Sequence, residues 1–216
     1  MTIEQICEKY QIKNYTINDD GTIDVDGYVD LIDEELFKLP LTFNKVTGYF
    51  DCSWNRLTSL KGCPKWVGTD FYCHDNKLTS LEYDPEYVGG SYKCSFNKLT
   101  TLEGCPEYIP GSFFCGHNEL TSFEYSPKQI DGNYMCLGNN IYSLDGITEK
   151  IGKSFYCSGN PIGSIFDDVD QFFIHAFNFY KIIKSDTVNL KRLKYVMDLY
   201  DKPIDLEEIQ KYYKLV

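Results

Sequence analysis

The chain has 216 residues, 21 Lys+Arg against 32 Asp+Glu, a net charge of −11 and nine cysteines. Aromatic residues make up 16%, too many for a disordered acidic tail, and the cysteines are too few for a small disulfide scaffold. No run of 18 apolar residues exists to span a bilayer, and no basic face exists to neutralise phosphates, which argues against direct nucleic-acid binding.

Residues 1–27 open with Ile3, Ile6, Cys7 and Tyr10 at amphipathic helical spacing, and continue into an Asp/Gly-rich stretch, Ile17–Gly27, that reads as a turn or hairpin. The expectation is an N-terminal cap. The first residues lack a basic n-region and an apolar h-region, so no secretory leader is expected. Acidity concentrates here: residues 1–46 hold ten acids and four bases, against thirteen and nine in 47–166, and nine and eight in 167–216.

Residues 28–166 are a repeat. Cys52, Cys73, Cys94, Cys115, Cys136 and Cys157 fall every 21 residues. Around each runs one frame, as in Phe71-x-Cys73-x-x-Asn76-x-Leu78-x-x-Leu81 followed by Val88. Asn55, Asn97, Asn118, Asn139 and Asn160 occupy the Asn position, and Glu34 stands there in a degenerate first row. A period of 20–29 residues with this pattern is the leucine-rich-repeat signature, here with Phe or Tyr and Cys at the strand-core positions. Phe71 and Cys73 lie two apart and should point into the coil from a parallel strand. Leu78, Leu81 and Val88 should complete the core, and Asn76 should bond backbone of its own and the next coil. A longer period of 42 also shows: Gly62-Cys63-Pro64 recurs at 104–106, and Tyr83-Asp84-Pro85 at 125–127 as Tyr-Ser-Pro. The fold class is therefore an α/β repeat, a solenoid of about seven coils with parallel strands on its concave face.

Residues 167–216 change character and predict a C-terminal helical cap. Asp167-Asp168 can start a helix carrying Val169, Phe172, Phe173, Ala176, Phe177 and Tyr180. Asp186 or Thr187 can start another with Leu190, Leu193, Val196, Met197 and Tyr200. Beyond Pro203, Asp205 can start a third with Leu206, Ile209, Tyr212 and Tyr213.

Little in this frame points to chemistry. Cys73 and His74 should lie on opposite sides of a strand and cannot converge on one ion, so no metal and no cofactor is expected. A ladder of equivalent thiols gives no unique disulfide partner, and Cys63 and Cys105 are two coils, about 10 Å, apart, beyond the bridging limit of about 7 Å. The six ladder cysteines read as core. His175 reads as a packed helix histidine. No P-loop and no G-x-S-x-G is present; no catalytic residue is assigned, and the chain is read as non-enzymatic.

The informative positions are the outward ones of the strands. A solvated sheet face should be polar. This one carries Tyr72, Phe114, Met135, Leu137 and Tyr156, with His74, and Trp54, Phe96 and His117 at the edge. Exposed aromatics with Met are the composition of protein-interface cores, so these nine residues form the candidate partner-binding face. Asp51, Asp70 and Asp75 lie toward its N-terminal half.

The segment Gly90-Ser-Tyr-Lys-Cys-Ser-Phe-Asn-Lys-Leu-Thr-Thr-Leu-Glu-Gly-Cys-Pro-Glu-Tyr-Ile109 resembles the tandem unit G-x-F-x-C-S-x-N-x-L-T-S-L-E-G-C-P-x-x-V-G of leucine-rich-repeat proteins encoded by large tailed bacteriophages and related viruses. Asp24–Leu31 and Asn189–Tyr195 are similar to the same group. The resemblance implies a protein of the infected host's cytoplasm and no reaction. The expected function is a protein-binding scaffold that engages and inhibits a host protein, such as a defence component. Two alternatives come from other classes. One is a self-assembling or virion structural protein. The other is an acidic nucleic-acid mimic, using Asp19, Asp20, Asp24, Asp26, Asp30, Asp33, Glu34 and Glu35.

Overall fold

A computed structural model describes residues 1–216. Seven strands, Val29–Asp30, Phe50–Asp51, Phe71–Tyr72, Tyr92–Lys93, Phe113–Phe114, Tyr134–Met135 and Phe155–Tyr156, line up in chain order as one parallel sheet. Each residue pairs with the one 21 further on, as Phe50 with Phe71 and Phe71 with Tyr92. The chain is thus a parallel β-solenoid of six 21-residue turns. Pairing outlasts the short strands: Cys52 N donates to Tyr72 O at 2.8 Å, and Trp54 N to His74 O at 3.1 Å.

The interior follows the frame. Phe71, Cys73, Leu78, Leu81 and Val88 are wholly buried, as are their counterparts in the central coils. Repetition turns one aromatic per coil into a column. Centroid spacings are 5.9 Å for Phe50–Phe71, 5.2 Å for Phe71–Tyr92, 5.4 Å for Tyr92–Phe113 and 5.4 Å for Phe113–Tyr134. Such contacts contribute about 0.5–1.5 kcal/mol each beyond burial.

The asparagines form a ladder, but it runs the other way from the expectation. Asn76 Nδ2 donates to Cys73 O at 3.2 Å in its own coil and to Cys52 O at 2.9 Å in the preceding one, and its Oδ1 accepts from Leu57 N. The same three bonds recur at Asn97 and Asn118. The turn that follows the strand carries the amide backward over the coil already laid down. Glu34 has no such preceding coil and is exposed.

The 42-residue alternation has a cause in the core. Tyr92 Oη donates to Asp84 Oδ2 at 2.6 Å, and Tyr134 Oη lies 2.7 Å from Ser126 Oγ. The intervening coils place Phe71 and Phe113 eight residues after Cys63 and Cys105. A buried hydroxyl requires a polar partner; a phenyl ring requires none. Phenol with carboxyl or hydroxyl therefore alternates with phenyl and thiol.

The return side of the coils forms two shorter parallel sheets. One includes Ile23–Val25, Phe43–Val46, Trp66–Val67 and Tyr87–Val88; the other holds Tyr108–Ile109, Gln129–Ile130 and Lys150–Ile151. The break falls at Pro110. Gly89 N donates to Val67 O and Asp131 N to Ile109 O, both near 3 Å. Pro110 occupies the intervening position and has no N–H to give Val88 O.

Upstream, Thr2 caps helix α1 (Ile3–Lys9) through a reciprocal capping box with Gln5, and Tyr15–Ile17 pairs antiparallel with Ile23–Val25. Downstream, three helices form, α2 (Gln171–Phe179), α3 (Leu190–Leu199) and α4 (Leu206–Gln210). Their starts correct two expectations. Asp170, not Asp167 or Asp168, caps α2. Asn189, not Asp186 or Thr187, caps α3, because Thr187–Val188 is a strand between Ile183–Lys184 and Lys214–Leu215. Asp205 caps α4 as expected. Asp167 is taken by the sheet: its Oδ1 accepts from Cys157 N at 2.7 Å and Ser158 N at 3.1 Å. Val169 is likewise outside the helix and exchanges backbone bonds with Phe155. Together they occupy the open edge of the last strand. Phe172, expected in the core, is 77% exposed, and His175 is exposed rather than packed.

Candidate functional site

In every coil the residue between the buried aromatic and the buried Cys faces away from the core. Across the sheet this row is Asp51, Tyr72, Lys93, Phe114, Met135 and Tyr156, preceded by Asp30 between Val29 and Leu31, each in register with the next. Tyr72, Phe114, Met135 and Tyr156 are all half-buried by their neighbours. Lys93, the one cation in the row, sits between two rings, its Nζ 4.9 Å from the Tyr72 centroid and 5.1 Å from that of Phe114. Such placements attract a cation by about 0.5–1 kcal/mol at exposed sites. Burial, then the carboxylate of Asp70, pushes the Tyr72 phenol up to about 12.

The residue after each Cys is Ser53, His74, Ser95, Gly116, Leu137 or Ser158. His74 Nδ1 lies 2.9 Å from Asp75 Oδ2, while Cys73 is wholly buried. Thiol and imidazole are thus on opposite sides of the strand, and no His, Cys, Asp or Glu group of three converges as a metal site.

The next row lies at the sheet's edge and has an unusual backbone. Asp33, Trp54, Asp75, Phe96 and His117 have φ of 53–57°, and Gly138 and Gly159 continue the row at 62° and 71°. Trp54 is 56% and Phe96 51% exposed. The Phe96 and His117 rings stack at 4.3 Å. Gly138 makes room for that stack, since a Cβ there would come within 2.7 Å of His117 Nδ1. Left-handed backbone is costly for bulky side chains; the signal for it in the sequence is the recurrence of Asp33, Asp75, His117, Gly138 and Gly159 at this one position of the repeat.

The sheet thus brings the nine predicted residues into three adjoining rows. Sequence reasoning missed a second aromatic file, on the return side: Trp66 stacks on Tyr87 at 5.3 Å, with Lys45 Nζ 4.7 Å from the Trp66 centroid. Trp66 and Tyr87 are 21 apart beside the buried Val67 and Val88, so the same strand alternation marked them as outward. It also missed an exposed apolar group on the helical end: Phe172, Phe179, Tyr195 and Leu199 are 77%, 78%, 54% and 60% exposed. A cleft of about 1060 Å³ lies between residues 142–147 and the strands and helices from residue 177 onward.

The thiols are unlike catalytic ones. Burial pushes Cys115 up to about 12 and raises Cys52, Cys73, Cys94 and Cys136 as well, whereas a nucleophilic thiol needs a lowered value. No helix is long and apolar enough to cross a membrane. No known family, curated protein or solved structure matches the chain.

Proposed function

We propose that the protein is a non-enzymatic protein-binding scaffold of the leucine-rich-repeat type. Its seven-stranded sheet is the concave binding face, and its N- and C-terminal segments cap the coils. The observation that carries this reading is the outward file of Tyr72, Phe114, Met135 and Tyr156, only partly buried where a solvated sheet face favours polar side chains. The resemblance of the repeat unit to viral leucine-rich-repeat proteins supports a partner from an infected host's cytoplasm, which the protein would inhibit.

The test is affinity capture from the natural host followed by mass spectrometry, with Tyr72→Ala/Phe114→Ala as control. One protein captured by the wild type and lost from the double variant, with melting nearly unchanged, is the expected outcome. Capture of nothing specific counts against the reading; loss of folding would show these side chains to be core. A second reading, homo-association through the helical end, is favoured by the exposed Phe172, Phe179, Tyr195 and Leu199. Light scattering that reports a strict monomer at high concentration removes it.

A further inference from the structure

The left-handed row repeats with a period that the rest of the face lacks. Along it stand Asp33, Trp54, Asp75, Phe96 and His117, acid alternating with aromatic until Phe96 and His117 merge into one stacked slab. Backbone pairing continues through this row. Trp54 N donates to His74 O, Asp75 N to Ser95 O and Phe96 N to Gly116 O, at 3.0–3.1 Å. The coils here therefore remain at strand spacing, about 4.8 Å each. Trp54 and Phe96 are two coils apart, hence about 9.6 Å, with Asp75 midway. Asp33 has no basic partner and Asp75 has only His74. Gly138 and Gly159 show the residue that suits this backbone without strain, yet Trp54 and Phe96 hold it with their rings half out in solvent.

An occupant must match aromatics about 9.6 Å apart with an acid between them. An extended β-strand repeats one face every two residues, about 6.7 Å. An α-helix returns to one face after three or four residues, about 4.5–6 Å, and after seven, about 10.5 Å, which overshoots the aromatic spacing by about 0.9 Å. A polyproline II helix returns after three residues, about 9.3 Å, and is the conformation that aromatic-lined surfaces recognise. Asp33, which has no basic partner, and Asp75, which has only His74, select its charge.

We propose that the edge row Asp33–Trp54–Asp75–Phe96 docks a proline-rich segment in the polyproline II conformation. Prolines three residues apart meet Trp54 and Phe96, and intervening Arg or Lys side chains meet Asp33 and Asp75. This rests on the sheet being a protein-binding face and names the chemistry of the partner.

The test uses full-length protein in a Trp66→Phe background, so that Trp54 is the sole tryptophan, titrated with a twelve-residue peptide repeating Pro-Pro-Arg four times. The expected result is a saturable change in Trp54 emission. A Gly-Gly-Arg repeat of equal charge should bind at least tenfold more weakly, and a Pro-Pro-Glu repeat should not bind. Phe96→Asn suits the left-handed backbone, so it should fold as well as its parent and weaken binding at least tenfold. Asp33→Asn/Asp75→Asn should weaken binding and flatten its salt dependence. No saturable signal at millimolar peptide overturns the proposal, as does equal binding of the Gly and Pro repeats or indifference to Phe96→Asn. Should a host protein be captured through Tyr72 and Phe114 but not displaced by the Pro-Pro-Arg peptide, the binding face stands and this occupant falls.

Discussion

Replacing Tyr92 by Phe removes one oxygen from the interior and leaves a carboxyl behind. Asp84 Oδ2 accepts from the Tyr92 hydroxyl at 2.6 Å, and Asp84 Oδ1 is shielded from solvent with no partner at all. Although part of the residue reaches solvent, its carboxyl is shielded, and Tyr92→Phe strips it of its one side-chain bond. A buried acceptor left unmade costs about 1–3 kcal/mol, which for a chain of this size lowers Tm by about 2–4 °C per kcal/mol. Asp84→Cys with Tyr92→Phe copies the Cys63/Phe71 and Cys105/Phe113 couplets, so the double variant should recover most or all of the loss. The coupling energy should be about 1–3 kcal/mol.

The pH dependence follows with a definite sign. Burial raises the Asp84 carboxyl well above its ordinary 3.8, and the Tyr92 hydroxyl opposes that rise. Above about pH 4 the unfolded chain has released this proton while the folded chain keeps it. The contribution of Asp84 to stability therefore falls as pH rises from there toward the raised value. Asp84→Ser, which keeps a hydroxyl partner as Ser126 does for Tyr134, should flatten the slope; Tyr92→Phe should steepen it. Urea denaturation followed by circular dichroism between pH 5 and 8 reads both effects. Strict additivity of the two substitutions, or a slope indifferent to Asp84→Ser, refutes the couplet.

Other outcomes test other parts of the solenoid. Leu99 is wholly buried in a central coil, so Leu99→Ala should destabilise by about 2–5 kcal/mol in the same assay. The ladder thiols are buried and raised, so at pH 8 they should react with a disulfide reagent only at the rate of unfolding; rapid labelling of Cys94 in the native state would contradict the packing. Pro110→Gly supplies the missing donor to Val88 O and should join the two return sheets, visible as a slowly exchanging amide at position 110.

Much of this was legible because one period governs everything. A 21-residue spacing of Cys, Asn and Leu fixes the register, and strand alternation then places Phe71 inward and Tyr72 outward with no further information. What escaped was set by contacts the period does not encode. The backward reach of Asn76 depends on the turn after the strand. The left-handed backbone of Trp54 and Phe96 contradicts the preference of those two residues and is imposed by the coil; the Asp, His and Gly at the same position of other coils are what signal it. The starts of α2 and α3 moved because the sheet edge took Asp167 and Val169, and a small sheet took Thr187. Phe172 faces solvent because α2 buries Phe173, Ile174 and Phe177 instead.

The bonds that the Asp167 carboxylate and the Val169 backbone make to the last strand bear on more than local order. In a solenoid every internal junction is nearly the same junction, so its final strand is a template the next molecule's first strand could extend. Head-to-tail addition of this kind does not close, and it grows fibres. By accepting from Phe155 N, Cys157 N and Ser158 N, these two residues act as a chain terminator. They separate a protein of finite length from a polymer of the same repeat.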